Sequence, residues 1–518
     1  MQYMFQTLPP NLATSGEAES ASRHFDTDHL SADLGKRTVK GGFVTLLSQV
    51  LKLLLQIGSM VLLARLLTPV DYGLFGIVSA VTALGLIIKD MGLAAATLNS
   101  PTLNHAQVSN LLWITVGRNL ILASVTCAMA PLVAQFYGDS RLTPLLVAMA
   151  STFVILSLSS QHQALLRRQM RFRSLAAIDL ISMLFGVVVA VLCASFGAQI
   201  WALVGMQMSM AIASTIGSWL LCTWRPGLPR RQADNEGLLE FGKQIVAFQV
   251  MEYCVRNVDS LLIGRWCGEG ILGLYDRAFQ LHMIPAQNIC WPIGAVVLGT
   301  LSRVRSEAER FNKYAMLTIF SSSCVCMPII AFLFVTSHEA VSLLLGDNWN
   351  GTVNIFRALA PAAFFDSIVV SLGWIFVASN LGDRLLKCSV IQTVASVAGF
   401  FIGIRWGAVG VAIVLSVIKT IAPVSTILYC TRNTDISAME LLKAPFPPIL
   451  ASLIAAAICF GCGVNAHVSV LQFLTDGLIF AASYTCVLAC FARTRELFSL
   501  ILSLVKSRIS RALSASGC

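Results

Sequence analysis

An apolar stretch with charged residues inside it extends from Phe241 to Pro285 and reads FGKQIVAFQVMEYCVRNVDSLLIGRWCGEGILGLYDRAFQLHMIP. It is long enough to cross a bilayer, which takes about 20 helical residues. Gln249, Glu252, Arg256 and Asp259 follow one another at helical spacing, so a helix places them in one polar stripe. Because a charge that faces lipid is costly, this stripe is predicted to face protein or trapped water.

A second polar stripe of the same phase lies near the N-terminus, where Gln49, Lys52, Gln56 and Ser59 interrupt another apolar run. The chain is therefore predicted to contain two related halves, each opening with a helix whose polar face looks inward. The register holds on both sides of the stripes, with Gly42 matching Gly242, Arg65 matching Arg265, and Gly73-Leu74-Phe75 matching Gly273-Leu274-Tyr275.

The composition is that of an integral membrane protein. Hydrophobic residues make up 56% of the chain and charged residues only 12%, with a mean hydropathy of +0.76, whereas soluble domains carry about 25% charged residues. The net charge of +10 does not indicate nucleic-acid binding, because the basic residues lie between apolar runs, where they set topology. The 15 cysteines do not form a secreted disulfide framework, and Cys459 and Cys462 are interpreted as packing residues. No metal or cofactor is expected.

Apolar runs long enough to cross the membrane as helices follow a polar tail. Strands are excluded because these runs are continuous rather than alternating. The turn Gly197-Ala198-Gln199 divides one uncharged stretch that is too long for a single helix. The fourteen predicted spans are 42–65, 74–98, 109–134, 142–164, 175–196, 200–222, 243–265, 277–300, 314–336, 354–378, 387–404, 408–429, 445–463 and 470–491.

The predicted fold class is an all-α integral membrane protein with two six-helix lobes and a C-terminal helix pair. Phe196–Val204 and Trp406–Val414 are similar and start six predicted helices apart, an even number, so the lobes are expected to be parallel repeats. The predicted regions are a disordered cytoplasmic tail over 1–40, an N-lobe over 41–224, a cytoplasmic linker over 225–240, a C-lobe over 241–430, the helix pair over 444–492 and a cytoplasmic tail over 493–518.

The distribution of Lys and Arg predicts the orientation. With the N-terminus in the cytoplasm, the inner segments hold most of the 36 basic residues, while the outer loops hold only Arg141, Arg277 and Arg405. This bias supports an even number of helices with both termini inside.

Seven short motifs occur in order and at consistent spacing, namely Arg65–Phe75, Asp90–Ala96, Arg168–Arg173, Trp201–Val204, Asn257–Gly264, Leu272–Leu281 and Leu345–Trp349. Together they resemble the polysaccharide-transporter family of Wzx-type oligosaccharide flippases, which belongs to the superfamily of multidrug, oligosaccharidyl-lipid and polysaccharide exporters. The resemblance covers residues 36–495 and implies fourteen helices around a central cavity. It also implies movement of undecaprenyl-diphosphate-linked sugar repeat units across the bacterial inner membrane, for exopolysaccharide or a related polymer.

Such a cargo needs a hydrated, cationic cavity, because its diphosphate and sugar hydroxyls would lose their water in hydrocarbon. Lys52, Arg118 and Arg357 are predicted to bind the diphosphate through charge-assisted hydrogen bonds, since none has an opposite charge one turn away on its own helix. The alternative is an interhelical ion pair, for instance with Asp179 or Asp366.

The other polar residues of the two stripes have predicted roles as well. Arg256 either binds cargo or forms a self-neutralised triad with Glu252 and Asp259, which flank it by one turn. Gln49, Gln56, Ser59 and Gln249 are predicted to solvate the sugars. Glu252, Asp259 and Asp366 are the candidates for proton coupling, while sodium exchange and the membrane potential stay open as energy sources. His105, His162, His282, His338 and His467 are interpreted as packing or loop residues.

Two other functions compete with this reading. A multidrug or cation antiporter of the same superfamily predicts an acidic cavity, whereas the deep charges here are mainly basic. A membrane glycan polymerase or ligase needs large outer loops with catalytic groups, but the longest outer loop, residues 337–353, carries only Glu339 and Asp347 as acids. The chain is expected not to be an enzyme. Its expected partners are a lipid-linked oligosaccharide, membrane lipids and the polysaccharide polymerase or export machinery, with no nucleic acid.

Overall fold

The computed structural model describes residues 34–90, 97, 104–228, 253, 257–462 and 469–491. Its regular elements are all helices, as the continuous apolar runs predicted, because a helix satisfies its backbone hydrogen bonds internally. In chain order they are α1 (Leu34–Leu66), α2 (Pro69–Asp90), α3 (His105–Tyr137), α4 (Leu142–Arg168), α5 (Phe172–Ser195), α6 (Trp201–Leu221), α7 (257–266), α8 (Glu269–Pro285), α9 (Trp291–Arg303), α10 (Ala308–Val335), α11 (Ser337–Leu344), α12 (Gly351–Ala378), α13 (Gly382–Gly403), α14 (Gly407–Cys430), α15 (Ala438–Lys443), α16 (Phe446–Gly461) and α17 (Val470–Cys490).

Within the described ranges, ten helical stretches are long and apolar enough to cross a membrane, and one of them, Gly382–Cys430, contains both α13 and α14. The chain is therefore a multi-pass membrane protein. Some helices match the predicted runs, as α14 (Gly407–Cys430) does where the run 408–429 was predicted. The run 277–300 does not form the single predicted helix, because α8 begins earlier, at Glu269, and a π-helical turn separates it from α9.

The turn predicted at Gly197 is confirmed, and a similar turn occurs later in the chain. Gly197 and Gln199 have φ values of 78° and 46° between α5 and α6, and Gly407 has φ 70° where α13 gives way to α14. Positive φ is readily adopted by glycine, which has no Cβ, so each glycine allows the chain to turn sharply between two helices.

The described helices cluster into two compact units. The first comprises the chain up to Leu67 and Leu74–Tyr253. In it α5 packs along α6, α3 along α4, α4 against α6, and α1 against α5. Val108, Leu165, Ile178 and Trp224 belong to one buried cluster of this unit. These contacts bring the polar side of α1 beside α5.

The second unit comprises Thr68–Gly73 and Cys254–Cys518. In this unit α12 packs against α8, α10 and α14, while α16 packs against α10 and α17. Its core includes Phe320, Phe376 and Phe480. This arrangement makes α12 the helix around which the buried polar groups of the unit gather.

Two departures from simple helix packing shape the second unit. A Cβ at Gly73 would overlap the carbonyl oxygen of Glu269, and one at Gly273 would overlap that of Pro69, so glycines permit this close backbone approach. Pro285 ends α8, and the π-helical turn Ala286–Cys290 connects it to α9. Proline has no N–H to continue the helical bonding, which accounts for the break at this point.

Candidate functional site

A polar cavity of about 240 Å³ lies among α1, α4, α5 and α6 of the first unit. Lys52 lies on its wall, so the structure places this predicted cation at a cavity. The apolar part of the wall includes Met149, Leu156 and Met210, and its polar groups come from Lys52, Thr152, Asp179, Ser182, Gln207 and Ser214.

Lys52 also has an interhelical partner there. Its Nζ lies 3.8 Å from Asp179 Oδ2, and the two side chains are 44% and 59% exposed. Protein therefore covers this pair only in part, and the ammonium stays accessible from the cavity that it lines.

The other predicted groups of the first unit are placed differently. Gln49 and Gln56 are half-buried on α1, outside the lining of this cavity. Ser59 is buried, and its hydroxyl donates to the backbone carbonyl of Gln56 at 2.9 Å. Arg118 is half-buried midway along α3 and is likewise not part of the lining. Of the predicted polar stripe on α1, Lys52 is thus the residue that lines this cavity.

A buried group of three charged or titratable side chains occupies the second unit. Asp366 on α12 accepts from Lys419 on α14, with Nζ 3.2 Å from Oδ1, and pairs with His282 on α8, whose Nε2 lies 3.1 Å from Oδ2. These three residues are named the Asp366 centre. Its two partners bind different carboxylate oxygens, so each can hold Asp366 independently of the other.

The Asp366 centre is unevenly buried. The side chains of His282 and Asp366 are 1% and 8% exposed, whereas that of Lys419 is 25% exposed. Phe279 stacks on the imidazole of His282 at a centroid distance of 5.3 Å. Only Lys419, therefore, offers part of its length to the surroundings of the unit.

His282 is buried, as its interpretation as a packing residue predicted, and it also binds the carboxylate of Asp366. Lys419 was not among the predicted cavity cations. The predicted runs gave no signal for this contact, because they placed His282 near the start of the run 277–300 but Asp366 and Lys419 midway along theirs. The three side chains lie at similar depth only because α8 begins at Glu269, earlier than predicted.

Arg357 lines a second cavity, which is large and otherwise apolar. This cavity has a volume of about 670 Å³ and lies among α10, α12 and α16, with the aromatic rings of Phe334, Phe364, Phe365 and Phe460 in its wall. Arg357 is exposed, and its Nε donates to the Ser337 hydroxyl at 2.7 Å. A cation therefore lies beside a surface that suits a hydrocarbon chain.

Asp259 forms its own buried hydrogen-bond network in the second unit. It is 1% exposed, and the Tyr275 hydroxyl donates to its Oδ2 at 2.6 Å. The backbone N–H of Ser260 donates to Oδ1 at 2.8 Å, and the Ser260 hydroxyl donates to Asp276 at 3.2 Å. The predicted partners of Asp259, namely Glu252 and Arg256, and also Gln249, lie outside the described residues.

Comparisons with known proteins agree with this fold and these motifs. The profile of the family described as "Polysaccharide biosynthesis protein" matches residues 62–354, more than half of the chain. The lipopolysaccharide biosynthesis protein WzxC of Escherichia coli (strain K12) is 24% identical over 424 residues, which cover 81% of this chain and 83% of that protein.

Two solved structures share the fold. The lipid II flippase MurJ, in an inward closed conformation, matches with a TM-score of 0.71 at 14% identity and covers 88% of this chain and 99% of its own. An inward-facing multidrug resistance transporter of the MATE family matches with a TM-score of 0.56 at 15% identity and covers 76% and 96%. At such identities the likeness establishes the fold alone, and one fold can host several functions.

Proposed function

Since the chain belongs to the polysaccharide biosynthesis protein family, a membership that confirms the resemblance of its motifs, we propose that it is a lipid-linked oligosaccharide flippase. The cargo is an undecaprenyl-diphosphate-linked repeat unit, which the protein moves across the bacterial inner membrane by alternating access. The product feeds exopolysaccharide or a related surface polymer, and the polymerase or export machinery receives it.

The observation that carries the proposal is the placement of Arg357 at the edge of an apolar cavity. A lipid diphosphate joins an anion to a long hydrocarbon chain, and this site offers a guanidinium next to aromatic and aliphatic walls. Arg binds phosphate oxygens in bidentate fashion, and burial of an isoprenoid contributes about 25 cal/mol per Å² of apolar surface. The site would therefore bind both the diphosphate and the first part of the isoprenoid chain, at the point where the two are joined.

The cavity of the first unit, considered by itself, carries groups that suit sugars. Its hydroxyl and amide groups, from Thr152, Ser182, Gln207 and Ser214, can replace water around sugar hydroxyls. Lys52 adds a mobile positive charge that Asp179 holds only loosely. We assign Lys52, Arg118, Arg357 and Arg256 to the diphosphate, and Gln49, Gln56, Ser59 and Gln249 to the sugars.

The proposed architecture is the fourteen-helix one. The N-lobe (41–224) and C-lobe (241–430) are parallel repeats joined by the linker 225–240, and the helix pair 444–492 follows, with both tails, 1–40 and 493–518, in the cytoplasm. Matching turns support the repeat: Met170 and Asn380 both have positive φ just after α4 and α12, at 52° and 64°. The next residues, Arg171 and Leu381, each donate a backbone bond to the carbonyl five residues earlier.

Carboxyl groups of the C-lobe are the proposed coupling groups. Asp366 and Asp259 are buried and hydrogen-bonded, and Glu252 is the third candidate. Movement of protons through one of these groups would let the proton gradient drive the export of an anionic head group.

Charge reversal tests the proposed cations. We expect Lys52→Glu, Arg118→Glu and Arg357→Glu to lower surface polymer about tenfold or more at normal membrane levels, since a charge-assisted hydrogen bond contributes about 1.5–3 kcal/mol. Arg405→Glu, an exposed change at the turn between α13 and α14, is the matched control and should stay within about twofold. Full export by all three reversals would remove the cationic site.

The same strains separate the flippase from an antiporter. Deletion of the gene should cause repeat units linked to the lipid to accumulate and surface polymer to disappear, with unchanged susceptibility to cationic drugs. If drug susceptibility rises while polymer remains normal, the antiporter is the function.

A further inference from the structure

We infer that the Asp366 centre is a cargo-linked proton switch, in which Lys419 leaves Asp366 for the diphosphate while His282 takes up a proton and neutralises Asp366 in its place. The inference rests on the proposed flippase function and deepens it. It identifies His282 as the group that binds the proton. It also identifies cargo binding as the event that causes the proton to bind.

The geometry separates the two partners of Asp366. Lys419 binds Oδ1 and His282 binds Oδ2, at 3.2 Å and 3.1 Å. Because they occupy different oxygens, departure of the ammonium leaves the imidazole bond intact. The carboxylate therefore keeps one hydrogen-bond donor throughout the exchange.

Burial decides which partner moves. Lys419 is 25% exposed, while His282 is 1% and Asp366 is 8% exposed. A lysine ammonium is a point charge on a flexible four-carbon stem, so it can swing toward an anion outside the core. The carboxylate and imidazole are packed in place and remain behind.

The protons balance at named atoms. In the resting state of the switch the imidazole is neutral and carries its hydrogen on Nε2, which donates to Oδ2 because the carboxylate is an acceptor. Nδ1 then holds the free lone pair, and within the described part of the chain this buried atom has no hydrogen-bond partner. Uptake of a proton at Nδ1 breaks no hydrogen bond within the described residues, and the Nε2–H bond to Asp366 is kept.

The charge of the buried group stays at zero on both sides of the exchange. Before it, the ammonium neutralises the carboxylate and the imidazole is neutral; after it, the imidazolium neutralises the carboxylate. A buried carboxylate without a counter-charge is strongly destabilising. Withdrawal of Lys419 by an anion is therefore linked to uptake of one proton.

The main competitor for this proton is the Asp366 carboxylate itself, and few other titratable groups lie near it. Its electrostatic neighbours among the described residues are Lys419 on α14, His282 on α8, Cys290 in the π-helical turn and Cys326 on α10. The two thiols share one contact, with their sulfurs 3.3 Å apart, and thiols are ordinarily neutral near pH 7. Imidazole is the side chain that ordinarily changes charge in this range.

Titration calorimetry on the full-length protein in detergent micelles tests the switch, with farnesyl diphosphate as the probe. Measured in two buffers of different ionisation enthalpy at one pH and salt concentration, the binding enthalpies give the number of protons taken up. We expect the wild-type protein to take up about one proton more per bound diphosphate than His282→Gln. His282→Phe, which keeps a ring against Phe279, should match His282→Gln.

Two further variants distinguish a switch from a simple binding cation. Lys419→Gln should lose the proton uptake and bind about tenfold more weakly. Arg357→Gln, which alters another proposed cation, should also bind more weakly but keep the proton uptake. Gel filtration of each variant confirms that it is folded.

The outcomes separate this inference from the proposed function. Binding by the wild-type protein with equal proton uptake in both His282 variants overturns the switch and leaves the flippase standing. No binding of farnesyl diphosphate to the wild-type protein overturns the proposed lipid-diphosphate site, and the switch with it.

Discussion

Removal of the ammonium from the Asp366 centre should destabilise the fold, independently of any transport assay. The change is Lys419→Met, which keeps the length of the side chain but leaves Asp366, 8% exposed, without its cation. Loss of one partner from a buried ion pair costs about 3–5 kcal/mol. Because His282 still donates to Asp366, we expect a loss of about 3 kcal/mol at a pH high enough to keep the imidazole neutral, and a smaller loss where His282 takes up the proton that replaces the ammonium.

The opposite change should cost less. Asp366→Leu leaves Lys419 without its carboxylate, but a quarter of that side chain is exposed and its head can extend toward water. We expect a loss of roughly 1–2 kcal/mol. Replacement of both residues by apolar ones removes both charges, and exchanges of this kind are often nearly neutral, so Lys419→Met with Asp366→Leu should be more stable than Lys419→Met alone.

The assay is unfolding of the purified protein by SDS in mixed micelles, followed by the fluorescence of its 9 tryptophans. A double-mutant cycle then gives the interaction between the two residues. Val417→Met is the control, because Val417 lies on the same helix but is 53% exposed, and it should stay within about 0.5 kcal/mol of the wild-type protein. If Lys419→Met costs no more than this control, Asp366 does not depend on its ammonium and the burial argument fails.

Three further experiments test the helix packing and the cavity of the first unit. Gly273→Val should lower the free energy of unfolding by about 2 kcal/mol or more, as its side chain would overlap the carbonyl of Pro69; the same SDS titration measures this. Lys52→Gln should reduce polymer export about tenfold, whereas Asp179→Asn should keep it, since Asp179 only holds the ammonium between cargo molecules; export is normalised to membrane protein. Copper phenanthroline should join Cys290 to Cys326, whose sulfurs are 3.3 Å apart, and peptide mass spectrometry detects the product.

Matched controls make these outcomes decisive. Gly299→Val places a side chain where nothing lies within 4 Å. Because Val has a higher helix propensity than Gly, this control should lose no stability and is expected to gain roughly 0.3 kcal/mol; equal losses at both glycines would contradict the close-approach argument. Asp179→Asn with export as low as Lys52→Gln would make their ion pair structural. Both thiols remaining reactive after oxidation would contradict the placement of the π-helical turn beside α10.

Helix positions could be predicted because they depend on local properties of the chain. A continuous apolar run must satisfy its backbone bonds within itself in a membrane, and glycine at positive φ ends it, as at Gly197. This is why the run 142–164 corresponds to α4 and the motifs near Arg65 and Asn257 already pointed to the family. None of these inferences required knowledge of which helix packs on which.

Contacts between embedded charges on different helices could not be predicted in this way. Sequence spacing relates residues on one helix, so it identified the polar stripe that contains Lys52. It could not decide whether Lys52 binds the cargo or pairs with Asp179. The structure places Lys52 both in a cavity wall and beside Asp179. His282 was interpreted as a packing or loop residue because it forms no motif, and nothing in the predicted runs indicated that it would meet Asp366. The amino-acid order by itself determined that this is a helical membrane protein and to which family it belongs. Only the packing of α8 and α14 on α12 decided that His282 and Lys419 bind different oxygens of Asp366. The reason is that pairing between helices depends on which helix faces meet.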